Sequence, residues 1–297
     1  MSSSPAPQRT VFLNGSFVPF EEAKISVMDR GFLFADGIYE VAAVIDGRLV
    51  DARAHLARLE RSLAEIEIAN PYSIARWTEL MADLAARNGL SEGLVYIEVT
   101  RGVAERDFPF PPRDTAPTVV MFTQAKAILA SKAAETGVGV ITVPDLRWKR
   151  RDIKSVALLA QVLAKEAAAK AGVAEAWMVE DGHVTEGGSS TAFIVSAEGT
   201  LVTRPLSNAV LPGITRLAVK KIAADLQMKV EERLFTVEEA HAAREAFYCS
   251  ASAIVMPIVS IDGAPVGEGR PGPVARRLRE AYLGLAREEG ALDSDFA

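Results

Sequence analysis

The chain of 297 residues predicts an α+β protein of two domains, on three observations. Strand-like and helix-like stretches alternate irregularly rather than as repeated strand–helix–strand units. Two dipeptides, Asn14-Gly15 and Asp46-Gly47, each join a pair of apolar-rich runs, the pattern of tight β-hairpins. An Ala- and Lys-rich segment over 126–136 then separates two halves that are each long enough to bury a core. The expected organisation is a disordered leader over 1–10, a small domain over 11–125, a link over 126–136 and a larger domain over 137–297.

In the first half, "TVFLNGSFVPF" and "IYEVAAVIDGRLVDA" read as the two hairpins. From Ala54 to Ile66, Leu56, Leu59, Leu63 and Ile66 recur at helical spacing. "SIARWTELMADLAARNGL" repeats that signal and stops at Asn88-Gly89. "GLVYIEVTRG" and "APTVVMFTQA" read as strands. In the second half "GVGVITVP" is a strand, followed by a helix of roughly 16 residues from Ser155 to a stop at Gly172. "EAWMVED" and "STAFIVS" are strands around the loop "HVTEGGS". "GITRLAVKKIAADLQ" is an amphipathic helix with Leu217, Ile222 and Leu226 on its apolar side. "TVEEAHAA" opens on a capping box from Thr236 to Glu239, and "AFYCSASAIVMPIVSIDG" is strand material.

Composition excludes several functions. A formal net charge of −6 argues against a nucleic-acid or anionic-membrane surface. No apolar run approaches the roughly 20 residues that span a bilayer. The N-terminus lacks the charged and apolar regions of a signal peptide. One cysteine, Cys249, excludes an internal disulfide and suits a reducing cytoplasm. His55, His183 and His241 lack metal-ligand spacing, so no metal is expected. The common glycine-rich nucleotide cradles are missing too.

Lys154, in "WKRRDIKSVALL", stands where the helical pattern begins. Burial and a helix N-terminus both disfavour an ammonium there, which makes it a candidate for attacking a carbonyl. Three loops suit an anion. "LPGIT" (211–215) runs through a glycine into a helix start, where free N–H groups face outward. "TEGGSS" (185–190) combines glycines and hydroxyls with one carboxylate, Glu186, and "CSAS" (249–252) sets hydroxyls in an apolar strand region. Arg58, three residues after His55, is either a bidentate phosphate ligand or, the commoner case, a surface arginine on an amphipathic helix. Tyr39 and Glu40 are neighbours on a strand and so point to opposite faces, one toward a site. A lysine, a carboxylate and several anion loops together suggest pyridoxal 5′-phosphate, whose aldehyde needs a lysine and whose ring nitrogen needs an anion.

Six ordered stretches, "DRGFLFADGIYEV", "HLARL", "VTRG", "RWKRRDIKS", "TEGGSS" and "PGITR", resemble the fold-type IV pyridoxal-phosphate aminotransferases from about Val11 to Gly263. The stretches around Tyr39-Glu40-Val41 and Lys154 look most like D-amino-acid aminotransferases. The resemblance implies a small N-terminal domain and a larger C-terminal one with a mixed, barrel-like sheet. It implies ping-pong transfer from a D-amino acid such as D-alanine to a 2-oxo acid such as 2-oxoglutarate, with Lys154 as Schiff base and proton shuttle. Glu186 would pair with the pyridine nitrogen, and Arg147 would lie near the ring hydroxyl. Arg58, Ile214, Thr215, Ser250 and Ala251 would hold the phosphate. Tyr39 would face the substrate, and Arg106, with Phe108 beside it, would reach the substrate carboxylate from the second subunit of a homodimer.

Two positions depart from that pattern. Phe108 stands where these enzymes often have a histidine, and it offers no hydrogen bond. Ala251 stands where a phosphate-binding threonine is common, which removes one hydroxyl bond of about 1 kcal/mol. Other reactions of the same fold are the alternatives: branched-chain L-amino-acid or (R)-amine transamination, or aminodeoxychorismate cleavage. A non-catalytic binding module would not need both Lys154 and Glu186, which are present.

Overall fold

The computed structural model describes residues 9–288, which form two compact units. The first comprises 9–127 and Ile153–Ala157. Its elements are β1 (Thr10–Leu13), β2 (Ser16–Pro19), α1 (Arg30–Phe34), β3 (Gly37–Ile45), β4 (Arg48–Val50), α2 (Ala52–Glu65), α3 (Ile74–Arg87), β5 (Gly93–Thr100) and β6 (Thr118–Ala125). The strands pair antiparallel in the order β2-β1-β6-β5-β3-β4. Both hairpin turns sit where the dipeptides place them. Asn14 and Gly15 have φ of 47° and 94°, and Asp46 and Gly47 have 51° and 75°, the left-handed conformations a two-residue turn demands.

The sheet has two unlike faces because side chains alternate along each strand. One face, with Ile38, Ala42, Val95, Ile97 and Met121, is buried with Leu56, Leu59 and Leu63 of α2 and Trp77, Leu80 and Leu84 of α3. Each fully buried side chain of this size contributes about 1.5–3 kcal/mol. The other face carries half-buried Tyr39, Tyr96, Glu98 and Phe122. Tyr39 stacks on Tyr96 at 5.6 Å between ring centres, and Tyr96 on Phe122 at 4.6 Å.

The second unit comprises 128–152 and 158–288 of the described residues. It contains α4 (Lys132–Thr136), β7 (Val138–Pro144), α5 (Leu159–Lys170), β8 (Glu175–Glu180), β9 (His183–Gly187), β10 (Thr191–Val195) and β11 (Leu201–Thr203). These are followed by α6 (Ile214–Asp225), β12 (Val230–Glu232), α7 (Val237–His241), β13 (Glu245–Ser250), β14 (Ile254–Ile261), β15 (Ala264–Pro265) and α8 (Pro273–Arg287). Its mixed sheet runs β12-β11-β10-β13-β14-β7-β8-β9, with β15 on β14. The sheet curls until β9 comes back beside β10. Trp177, Val184, Ile194, Val202, Phe235 and Met256 are among its core residues. The capping box at Thr236 forms as expected and starts α7.

Several expectations need correction. The helix expected from Ser155 begins only at Leu159. Residues 154–156 instead line the edge of β3: the Tyr39 amide donates to the Lys154 carbonyl at 2.9 Å, and the Val156 amide to Gly37 at 3.1 Å. Backbone groups engaged this way cannot start a helix, so Lys154 does not sit at a helix N-terminus. The link expected over 126–136 is shorter. The units divide after Ala127, and residues 132–136 form α4, capped by Ser131 and anchored through Ala134 in the second core. Thr10, expected in the leader, pairs with Pro19, while 1–8 lie outside the described residues. "HVTEGGS" is mostly β9, so Glu186 is a strand residue. "CSAS" is not strand interior: Ser250 ends β13 and 251–253 turn into β14.

Candidate active site

In the first unit the site residues gather on and beneath the open face of the sheet. Lys154 is half-buried, and its Nζ lies 4.2 Å from the centre of the Tyr39 ring. An ammonium over a ring face is held by the ring quadrupole. No carboxylate pairs with this amine among the described residues.

Tyr39 and Glu40 do point to opposite faces. Glu40 is buried at 1% exposure, where Arg58 Nε donates to its Oε1 at 2.6 Å and Arg58 Nη2 to its Oε2 at 2.8 Å. His55 Nδ1 lies 2.8 Å from the same Oε2. Burial opposes the charge of Glu40, but Arg58 and His55 outweigh it and hold the carboxyl well below its ordinary range. Arg58 is therefore not a surface arginine but one oriented from below by a carboxylate.

Arg106 lies on the exposed loop after β5, with its guanidinium carbon 5.4 Å from the Phe34 ring and 5.6 Å from the Phe108 ring. Phe108 is 75% exposed and packs on Phe34 at 5.6 Å. The loop is pinned by a residue that sequence reasoning missed: Arg30 donates to the Asp107 carbonyl at 2.6 Å while bonding Asp36 at 2.8 Å. Only the charges of "DRGFLFAD" signalled that contact.

In the second unit Glu186 projects from β9 and is 5% exposed. It accepts from the Arg147 guanidinium and from the Leu211 amide at 3.2 Å. Burial pushes its carboxyl above the ordinary range against the pull of Arg147. Arg147 also grips Asp145, through Nε at 3.0 Å and Nη2 at 2.7 Å. Burial disfavours the Arg147 charge, but Glu186 and Asp145 more than offset that, so its pKa lies above normal. Asp145, bonded also by Thr185 Oγ1 at 2.7 Å, was missed; an aspartate two residues before an arginine is a weak signal.

The anion loop expected at 211–215 becomes the start of α6. Gly213 is its N-cap and no side chain caps the helix. Ile214 and Thr215, both buried, are its first two residues. A Cβ on Gly213 would lie 2.7 Å from Thr191 Oγ1, so this turn admits only glycine without rearrangement. Ser250 accepts from the Ala253 amide at 3.2 Å, and Ala251 begins the turn after it.

These residues fit a phosphorylated pyridine aldehyde. The uncapped helix start with a buried threonine suits a phosphate. A buried carboxyl, fixed by Arg147 and the Leu211 amide, suits a ring N–H donor. An amine without an ion-pair partner suits the aldehyde.

The amino-transferase class IV family model matches residues 37–261. D-alanine aminotransferase of Staphylococcus aureus (strain MSSA476) is 42% identical over 92% of this chain and 96% of that protein. The Bacillus licheniformis D-alanine aminotransferase is 36% identical over 95% and 98%. Among solved structures, the Escherichia coli branched-chain amino acid aminotransferase has a TM-score of 0.85 at 27% identity, with 94% of each chain covered. A branched-chain amino acid aminotransferase of T.th., solved with pyridoxamine 5′-phosphate, gives the same values. With the ordered motifs and the mixed two-unit fold, these matches show that the chain belongs to the class IV aminotransferases, which are pyridoxal-phosphate enzymes.

Proposed function

We propose that this enzyme transfers the amino group of a D-amino acid such as D-alanine to a 2-oxo acid. The observation that carries the reading is the Lys154 amine, positioned over Tyr39 with no carboxylate partner among the described residues. The D-alanine aminotransferases at 36–42% identity, matched over nearly their whole length, support the D-amino acid as donor.

In this reading Lys154 would hold the cofactor's aldehyde through its amine and would carry the substrate's α-proton. Its backbone is bonded to β3, and its amine lies over the Tyr39 ring. Glu186, oriented by Arg147 and the Leu211 amide, keeps the ring nitrogen protonated. The bound cofactor supplies an electron sink for the pair left at Cα. Ile214 and Thr215 would give N–H and hydroxyl groups to the phosphate, Arg58 would add charge under the control of Glu40, and Ser250 and Ala251 would complete the phosphate-holding set. Arg147 would lie near the ring hydroxyl, and Tyr39 would support the substrate.

Arg106 takes the substrate carboxylate, and Phe108 narrows its surroundings. The protein works as a homodimer in which these two come from the second subunit. Exposed Leu159 (72%), Val162 and Leu163 on one side of α5 support an assembly. We place the enzyme in the cytoplasm, in keeping with its single buried cysteine. No described helix is long and apolar enough to cross a membrane.

The test is the visible absorbance of the cofactor-loaded protein after adding D-alanine, L-leucine or an (R)-amine separately. The reading expects bleaching with D-alanine; bleaching only with L-leucine or the amine would replace it with a sister activity.

A further inference from the structure

The loop that carries Arg106 runs from 101 to 117 between β5 and β6, and residues 105–110 on it are all exposed. An exposed segment of this length keeps one shape when something beneath it offsets the entropy of ordering it. Two buried guanidiniums lie beneath it. Arg30, 3% exposed, donates from Nη1 to the Asp107 carbonyl at 2.6 Å and from Nη2 to the Phe108 carbonyl at 3.4 Å. Arg101, 7% exposed, lies against the Phe110 ring, with its guanidinium carbon 3.5 Å from the ring centre.

Both guanidiniums are oriented by one carboxylate, Asp36. Its Oδ2 accepts from Nε of Arg30 and from Nε of Arg101, each at 2.8 Å, and its Oδ1 accepts from Arg101 Nη2 at 3.0 Å. A guanidinium is planar, so fixing its Nε fixes where its other N–H groups point. Arg101 also donates to the Ile66 and Glu67 carbonyls at 2.6 and 3.1 Å, at the end of α2. Asp36 thereby ties two anchor points of the loop, 107–108 and 110, to a helix of the first core. Arg106 directly precedes the first of them.

We infer that Asp36 is a positioning residue for the substrate carboxylate: by orienting Arg30 and Arg101 it holds the loop in the shape that presents the Arg106 guanidinium. The inference rests on the role proposed above for Arg106 and deepens it. Amino donor and 2-oxo acid both bring a carboxylate to Arg106, so loosening the loop weakens both alike. That carboxylate takes no part in bond changes at Cα and is held equally before and during the reaction. Its loss is therefore read in KM rather than in kcat.

The test is steady-state kinetics of Asp36→Asn, which keeps the size of the side chain but removes its charge. KM should rise roughly tenfold for D-alanine and for 2-oxoglutarate, with kcat changed by no more than about threefold. The cofactor's Kd should stay within about twofold of the wild type, because the phosphate and ring ligands lie elsewhere. In an Arg106→Ala background Asp36→Asn should add no more than about twofold to either KM, since it acts through Arg106. A flat KM in Asp36→Asn, a loss confined to kcat or cofactor affinity, or an undiminished rise without Arg106 would each overturn the inference. Should Asp36→Asn not fold, as judged by its melting curve, Phe110→Leu decides. It removes an exposed ring from Arg101 and should raise both KM values roughly two- to fivefold, and flat values overturn the inference. Were Arg106→Ala itself to leave both KM values in place, the Arg106 assignment would fail and the inference with it. Were the wild type active with L-leucine but not with D-alanine, the D-amino-acid reading alone would fail. The same comparison made with L-leucine then decides the inference.

Discussion

Tyr39 holds Lys154 twice: its amide donates to the lysine carbonyl at 2.9 Å, and its ring lies 4.2 Å beneath the lysine amine. The backbone bond survives substitution of the side chain, but the ring contact does not. Tyr39→Leu should therefore fold normally and lose about 0.5–1 kcal/mol of amine positioning, a fall in kcat of roughly two- to fivefold. Tyr39→Phe keeps the ring and separates that effect from any role of the hydroxyl. Steady-state kinetics of both variants check this.

Glu186→Gln should bind cofactor but transaminate slowly. The neutral amide leaves Arg147 with Asp145 alone and gives the ring nitrogen no anion. A fall in kcat of roughly 10²-fold is expected, the usual loss when a preorganised charge partner is removed. Single-turnover bleaching rates measure it directly.

The Glu40–Arg58 pair should make stability sensitive to acid. The Glu40 carboxyl titrates well below its ordinary value in the folded protein. Its contribution is present above the unfolded pKa of about 4.3 and is lost as pH falls below that toward the folded value. Arg58→Met leaves a buried carboxylate without its guanidinium and should cost about 3–5 kcal/mol at neutral pH. Glu40→Gln should flatten the fall of stability below about pH 5 relative to the wild type. Denaturant unfolding at pH 7 checks the first, and unfolding followed from about pH 5 down to about pH 3 checks the second.

Gly213→Ala should weaken cofactor binding, because the new methyl meets Thr191 Oγ1 at 2.7 Å and displaces the start of α6. A rise in the cofactor's Kd of roughly tenfold is expected, about 1.4 kcal/mol. Thr191→Ala removes the clashing atom, so the double variant should recover most of the affinity. Equilibrium titration of the apoprotein with pyridoxal phosphate would show a lack of rescue at once.

The hairpins were legible because Asn14-Gly15 and Asp46-Gly47 adopt the left-handed turn their residues favour. The helices α2 and α3 were legible from leucines at helical spacing, all facing one core. Residues 154–158 were misread because local helix propensity extends back from α5, whereas the backbone of 154–156 is claimed by β3, more than a hundred residues earlier. That is a tertiary override of propensity. A non-local cause hid part of the Asp145 role too: Arg147 is only two residues away, but Thr185 on β9 meets Asp145 only through the fold. Glu40 was narrowed to one of two faces by strand alternation, but its two partners on α2 came from the fold alone.

The most direct test of the account is to reduce the cofactor-loaded protein with borohydride and map the modified residue by peptide mass spectrometry. The account predicts a phosphopyridoxyl group on Lys154 and none in Lys154→Ala. Modification of another lysine, or of none, would contradict it.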